Sequence, residues 1–142
     1  MDRQTEVKNW LSRAMYADNK INALNLLIQQ AKQRAEGLSG HSGYEDTAKK
    51  SSRENSTENA LIKLADMELK FENQKNELLT VADEIAEAIS QLHDDDLETV
   101  LIHRYLLFHS TEQTAELMNY SCATVKRKTN KAIEKMSLFE LV

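Results

Sequence analysis

A cluster of basic side chains near the end of the chain is the feature best suited to binding chemistry. Residues 121–136 contain five basic residues and one acidic residue, on a chain whose formal net charge is −5. The basic residues are Lys126, Arg127, Lys128, Lys131 and Lys135. A positive patch confined to one segment of an acidic protein indicates a face that meets a polyanion. Exposed lysines on a helix can also be a solvated surface alone, so the pattern needs support from its surroundings.

The residues around this cluster predict two helices joined by a tight turn. Ser110 can cap the first helix while Gln113 reaches back to its amide, and Ala115 is small enough for two helices to cross there. Asn119 tolerates the left-handed conformation that ends such a helix, and Ser121 can cap the next one. Apolar bulk for this packing is expected from Leu117, Met118 and Tyr120.

The second of these helices has apolar residues at near-helical spacing, which predict a buried stripe of Val125, Ala132, Ile133 and Met136. The other positions would face double-stranded DNA if the helix lies in its major groove. The positions expected nearest base edges are Cys122, Ala123, Thr124 and Arg127. Those expected nearer phosphates are Ser121, Lys126, Lys128 and Lys131, and Asn130 completes the predicted DNA-binding set. Cys122 is explained more simply as a small helix residue.

These segments resemble region 4 of bacterial sigma factors, whose pattern has Glu-Ile-Ala, a Leu, Gly-Ile-Ser, and then Val with a basic run and Ala-Leu. The matching segments are Gln113-Thr114-Ala115, Met118, Asn119-Tyr120-Ser121, Val125, Lys126 to Lys128 and Ala132-Ile133. Thr114 stands where the pattern has an apolar residue, and Asn119 stands where it has glycine. Upstream, Leu101 to Tyr105 resembles the Leu-Arg-Tyr segment of the preceding helix in a group of phage proteins.

Over its whole length the chain resembles phage late-gene transcription regulators of the RinA/ArpU kind. The likeness lies in the order of parts: a Gly/Ser loop, the helix from Ala60 to Asp66, the Arg-Tyr helix, and Met118 to Ser121. It is tight only in the C-terminal third. The resemblance implies a sequence-specific DNA-binding regulator, an activator of phage or prophage late genes in the bacterial host cytosol. It leaves open whether host RNA polymerase is also a partner.

The elements that must position these residues are predicted to be helices. The 142 residues include no proline, and the three glycines, Gly37, Gly40 and Gly43, lie close together, so nothing elsewhere breaks a helix. A polar, flexible loop is expected at 37–56. The expected fold is all-α, a long N-terminal helical hairpin similar to a coiled coil, followed by the helix-turn-helix. Residues 1–93 would serve oligomerisation or partner binding, and 94–142 would bind DNA.

Each long helix of the hairpin carries an apolar stripe. The first, from about Asp2 to Glu36, has a regular 3,4 repeat: Val7, Trp10, Ala14, Ala17, Ile21, Leu24, Ile28, Ala31, Ala35 and Leu38. The second, from about Thr57 to Leu92, has a stripe interrupted by Glu68 and Lys75: Leu61, Leu64, Phe71, Leu78, Ala82, Ile85, Ile89 and Leu92. The helices are expected to form a homodimer interface, and pairing within one chain or between two chains stays open.

Composition argues against several functions. The four histidines are scattered, and there is no glycine-rich phosphate loop, so neither an enzyme nor a metal or cofactor site is expected. A single cysteine cannot form an intramolecular disulfide. No run approaches the roughly 20 apolar residues of a membrane span, and the start does not resemble a signal peptide. Asp94, Asp95 and Asp96 are expected to favour a helix N-terminus rather than a metal ion.

Two other functions remain open. A phage small terminase subunit, which recognises DNA for packaging, also joins a helix-turn-helix to a helical oligomerisation region, although there the DNA-binding part usually comes first. A fold similar to sigma region 4 can instead bind RNA polymerase, which would make the protein an interaction module. Ring-like stoichiometry would favour a terminase, and promoter-specific footprinting would favour a regulator.

Overall fold

The structure is a computed structural model that describes residues 2–39 and 47–141. These two ranges are helical and contain no strand. The helices are α1 (Arg3–Leu11), α2 (Arg13–Ser39), α3 (Thr47–Ser90), α4 (Asp95–Leu101), α5 (Thr111–Met118) and α6 (Cys122–Met136), with a π-helical turn at Ile102–Leu106. The chain divides into unit 1, residues 1–18 and 77–142, and unit 2, residues 19–76. The all-α prediction is confirmed.

The first predicted helix is interrupted at Ser12, between α1 and α2. The Ser12 hydroxyl donates to the Lys8 carbonyl at 2.8 Å. A serine that bonds the carbonyl one turn back bends a helix, because it competes with the regular backbone bond. The predicted loop at 37–56 also differs from the structure: Gly37 belongs to α2, and residues 47–56 belong to α3. A polar sequence without proline can continue a helix. Residues 40–46 of that loop lie outside the described residues.

The heptad seam predicted for the first helix is confirmed. Every seventh residue is buried, namely Val7, Ala14, Ile21, Ile28 and Ala35. The intervening seam residues are half-buried, namely Trp10, Ala17, Leu24 and Ala31. This alternation of full and partial burial is what an a/d repeat produces when one helix packs along another. The side chain of Leu38 lies outside the described part of the chain.

The seam of α3 runs one position away from part of the predicted stripe. Leu61 is 53% exposed, and Ala60, Met67 and Gln74 are half-buried in its part of the helix. The other predicted residues are buried or half-buried, namely Leu64, Phe71, Leu78, Ala82, Ile85, Ile89 and, just after the helix, Leu92, and they are joined by Val81 and Ala88. Glu68 and Lys75, the two predicted interruptions, are exposed beside the seam. Within unit 2, Glu68 forms an ion pair with Lys32 of α2 at 3.8 Å. The predicted interruption was therefore wrong, because the repeat continues through Met67 and Gln74.

Unit 1 has a core built from both ends of the chain. Val7 and Leu11 of α1 are fully buried in one cluster with Ile133 and Met136 of α6. The end of α3 and the helix α4 complete that cluster with Ile85, Ala88, Ile89, Leu92, Leu97 and Leu101. Arg3 donates to the Ser137 carbonyl at 3.1 Å and to the Phe139 carbonyl, which satisfies backbone groups after α6. The predicted division at residue 93 therefore differs from the packing, in which α1 belongs with α6.

A second, smaller cluster in unit 1 joins α4, α5 and α6. Val100, Ala115 and Val125 form its centre. Met118, Tyr120 and Cys122 pack around it. This cluster fixes the angle between α5 and α6, because each of these helices contributes a buried side chain to it. In the described ranges no helix has a stretch long and apolar enough to cross a membrane.

Candidate functional site

The turn between α5 and α6 has the geometry that its residues predict. The Gln113 amide donates to Ser110 Oγ at 3.0 Å, and the Ser110 amide donates to Gln113 Oε1 at 2.8 Å, so the capping box is confirmed. Asn119 ends α5 in the left-handed conformation, with φ 58° and ψ 43°. Ser121 caps α6 by accepting from the Thr124 amide at 3.1 Å. Three residues, 119–121, therefore connect the two helices.

A hydrogen bond within α5 explains why a threonine can be buried at position 114. Thr114 is fully buried, and its hydroxyl donates to the Ser110 carbonyl at 2.8 Å. A buried hydroxyl is costly only when it lacks such a partner. Ala115 is buried as predicted, whereas Leu117 is 58% exposed and does not supply the expected apolar bulk. Met118 takes that role, since it packs against the second cluster.

Helix α6 divides into a buried stripe and an exposed face. Val125, Ala132, Ile133 and Met136 are buried, as predicted. Of the predicted site residues, the structure leaves six exposed, namely Ser121, Ala123, Lys126, Arg127, Asn130 and Lys131. Cys122, Thr124 and Lys128 are half-buried. Cys122 packs against the second cluster, which favours its interpretation as a small helix residue.

Lys128 has a partner within the protein that the sequence did not reveal. Its ammonium forms an ion pair with Asp96 of α4 and lies 5.2 Å from the centre of the Tyr120 ring. The Tyr120 hydroxyl donates to Asp96 Oδ1 at 2.6 Å, which completes a three-membered network. Lys128 thus links α6 to α4 within the protein, and its predicted phosphate contact stays a prediction. No sequence signal pointed to this link, because Asp96 and Lys128 share no helix or periodic pattern.

The acidic N-terminus of α4 pairs with a second lysine of α6. Lys135 Nζ lies 3.9 Å from Asp94 Oδ2. The Asp94 carboxylate also caps α4, because its Oδ1 accepts from the Leu97 amide at 3.2 Å. The predicted helix N-terminus at the aspartate cluster is confirmed. Lys126, Arg127 and Lys131 have no acidic partner among the residues that the structure describes. The positive charge of α6 available to a ligand is therefore concentrated on its exposed face.

The network around Asp96 changes the pKa of all three members. Hydrogen bonds from Lys128 and Tyr120 lower the pKa of Asp96. The bond to Asp96 raises the pKa of Lys128 and that of Tyr120. The stabilisation from Asp96 is thus present above its ordinary pKa of 3.8 and is lost as the pH falls through the lowered value. The stabilisation from Lys128 is present below its ordinary pKa of 10.5 and is lost as the pH rises through the raised value.

Replacing Asp96 with Asn is expected to lower the Tm at neutral pH, because Lys128 loses its ionic partner. Asp95→Asn is the matched control: it removes the same charge from the same turn of α4, but Asp95 is exposed. The control should change the Tm less, as measured by thermal unfolding followed by circular dichroism. The difference between wild type and Asp96→Asn should shrink as the pH falls below the ordinary Asp pKa of 3.8. An equal decrease in Tm in Asp96→Asn and Asp95→Asn would contradict the structural role of Asp96.

The segment before α5 is held by contacts of His103, Arg104 and His109. In the π-helical turn, the Leu107 amide donates to the Ile102 carbonyl at 2.9 Å. His103 Nδ1 and His109 Nδ1 are 3.0 Å apart, so one must donate and the other accept. Arg104 donates to the His109 carbonyl at 2.7 Å. Together these bonds hold the Arg104 side chain in place beside the start of α5.

In comparisons of the chain with protein-family models, curated proteins and solved structures, nothing matched. A function for this chain therefore has to be argued from its own residues and their geometry.

Proposed function

We propose that the protein is a sequence-specific regulator of transcription that binds double-stranded DNA through α5 and α6, used as a helix-turn-helix. One observation carries the proposal: the buried stripe of α6 leaves a face on which Lys126, Arg127 and Lys131 are exposed, with no acidic partner in the described part of the chain. A helix with side chains is about 10–12 Å across, and the major groove is about 12 Å wide, so this face can reach base edges.

The regulatory role rests on the resemblance to phage late-gene regulators and to sigma factor region 4. That resemblance implies an activator of phage or prophage late genes that acts in the host cytosol. Helix-turn-helix proteins commonly bind paired half-sites as dimers. Unit 2 supports a homodimer, since four leucines on its surface are at least half exposed, namely Leu26, Leu27, Leu61 and Leu69.

Neutralising Lys126 and Lys131 together, as Lys126→Gln/Lys131→Gln, should weaken DNA binding and reduce its salt dependence. Each lost phosphate contact lowers the log–log slope of affinity against salt by about 0.9. The slope is measured by fluorescence anisotropy with a labelled duplex between low and moderate salt. Lys128→Gln is a control on the same helix: it removes one charge, from a lysine already paired with Asp96, so its effect is compared with half that of the double variant.

The control should lower the Tm and leave the slope nearly unchanged. A full-length protein that binds no duplex DNA would contradict the proposed function. If Lys128→Gln changes the slope and the Lys126/Lys131 variant does not, the DNA-binding face of α6 has been assigned to the wrong side.

A further inference from the structure

A polar cleft of about 380 Å³ lies in unit 1 beside the exposed face of α6. Three basic residues line it from three different elements: Lys8 of α1, Arg104 of the π-helical turn and Lys126 of α6. Tyr105, Thr111, Thr129 and Asn130 also line it, and none of the described lining residues carries a carboxylate. Residues from both ends of the sequence thus bring three positive charges to one small concave surface.

The cationic groups of this cleft are available to a ligand. Lys8 and Lys126 are exposed, and neither has an ion pair with any residue that the structure describes. Arg104 uses one nitrogen to donate to the His109 carbonyl, which holds the side chain in place and leaves its other donors. Burial raises the pKa of Tyr105, so its hydroxyl stays protonated at neutral pH. Such a group can donate a hydrogen bond to an anion.

We propose that this cleft binds one phosphate group of the DNA backbone, with Lys8, Arg104 and Lys126 as its ligands. The proposal rests on the proposed function and extends it to α1, which the sequence assigned to the hairpin alone. Three converging cations without a carboxylate favour a compact anion with several acceptor oxygens, and a phosphate meets that requirement.

The position of the cleft relative to α6 favours a backbone phosphate. Lys126 and Asn130 are four residues apart and therefore share one side of the helix. A helix that nearly fills the major groove has a sugar-phosphate backbone along each side. Side chains next to the base-reading positions therefore meet phosphates, and Lys8 and Arg104 extend that contact beyond α6. A contact of this kind fixes the register of the helix on the duplex without reading sequence.

Lys8→Gln in the full-length protein tests the proposal. It should lower the log–log slope of affinity against salt, by at most about 0.9, and weaken the affinity by at most about tenfold at 0.1 M salt, because the phosphate loses one of its three cations. Lys8→Arg should retain the slope, since an arginine also binds phosphate. Lys20→Gln is the matched control, an exposed lysine of α2 that does not line the cleft. The Tm of each variant is measured alongside, and Lys8→Gln should leave it unchanged because Lys8 is exposed.

A second measurement uses inorganic phosphate as the probe. Amide chemical shifts of Arg104 and Thr111 should move on phosphate addition in wild type and not in Lys8→Gln. A slope that falls for Lys126→Gln/Lys131→Gln but not for Lys8→Gln would overturn the cleft proposal while the proposed function stands. Phosphate binding by a protein that binds no duplex would overturn both, and it would identify the cleft as a site for a small phosphorylated ligand.

Discussion

Leu11→Ala is expected to lower the free energy of unfolding by about 2–5 kcal/mol, one of the largest effects of any single substitution in this chain. Leu11 is fully buried and belongs to the cluster that contains Ile133 and Met136. Removing its side chain leaves a cavity between α1 and α6 that the packed neighbours cannot close completely. Urea unfolding can be followed through the fluorescence of Trp10, the only tryptophan, which packs against the same cluster.

Leu79→Ala is the control for that experiment. It deletes the same atoms from a leucine of α3 that also belongs to unit 1 but is 63% exposed. Surface substitutions of this kind change stability by no more than about 0.5 kcal/mol. A Leu11→Ala variant as stable as Leu79→Ala would mean that α1 does not pack on α6. The division of the chain at residue 93, expected from sequence, would then be the better description.

Arg127→Ala is expected to weaken binding to the specific DNA site by about 1–3 kcal/mol, roughly 5-fold to 150-fold in Kd. Arg127 is exposed near the start of α6, where a recognition helix contacts base edges, and it has no acidic partner in the described ranges. If Arg127 forms hydrogen bonds with a base, truncating its side chain removes the protein's preference for that base. Discrimination at one base pair should therefore also decrease. The Kd is measured for a genomic DNA fragment that the bound protein protects and for single-base variants of that fragment.

Arg34→Ala provides the comparison, because it removes the same charge from an exposed position of α2 in unit 2. It should weaken binding far less and leave base preference unaltered. If Arg127→Ala weakens binding equally on the specific fragment and on random DNA, then Arg127 contacts only phosphate. In that case the base-reading residues have to be sought among Ala123, Thr124 and Asn130.

The sequence predicted those features that depend on neighbours along the chain. The capping box of Ser110 and Gln113, the left-handed Asn119 and the Ser121 cap each involve residues within three positions of one another. The heptad of α1 and α2 is likewise a periodic signal carried by one continuous segment. Such features can be predicted from the sequence because the residues that form them lie close together in the chain.

Several features that escaped prediction depend on residues far apart in the chain. Lys128 looks like any exposed lysine until Asp96 is placed beside it. Leu11 lies off the 3,4 repeat and is buried only because α6 covers that side of α1. The cleft around Lys8, Arg104 and Lys126 similarly exists only once α1, the π-helical turn and α6 have been brought together. Periodicity identifies which face of a helix is apolar, and it does not identify which helix will cover that face.

The construction of unit 1 from both ends of the chain bears on how the protein folds during synthesis. Arg3 bonds the carbonyl of Ser137, a residue 134 positions later. At about 5–20 residues per second, a ribosome needs roughly 7–27 s to add that many residues. Over that interval Val7 and Leu11 have no α6 to pack against, so the nascent chain exposes apolar surface that chaperones recognise. Unit 2 consists of one continuous segment and can form earlier, so we expect translation to produce unit 2 first and unit 1 last.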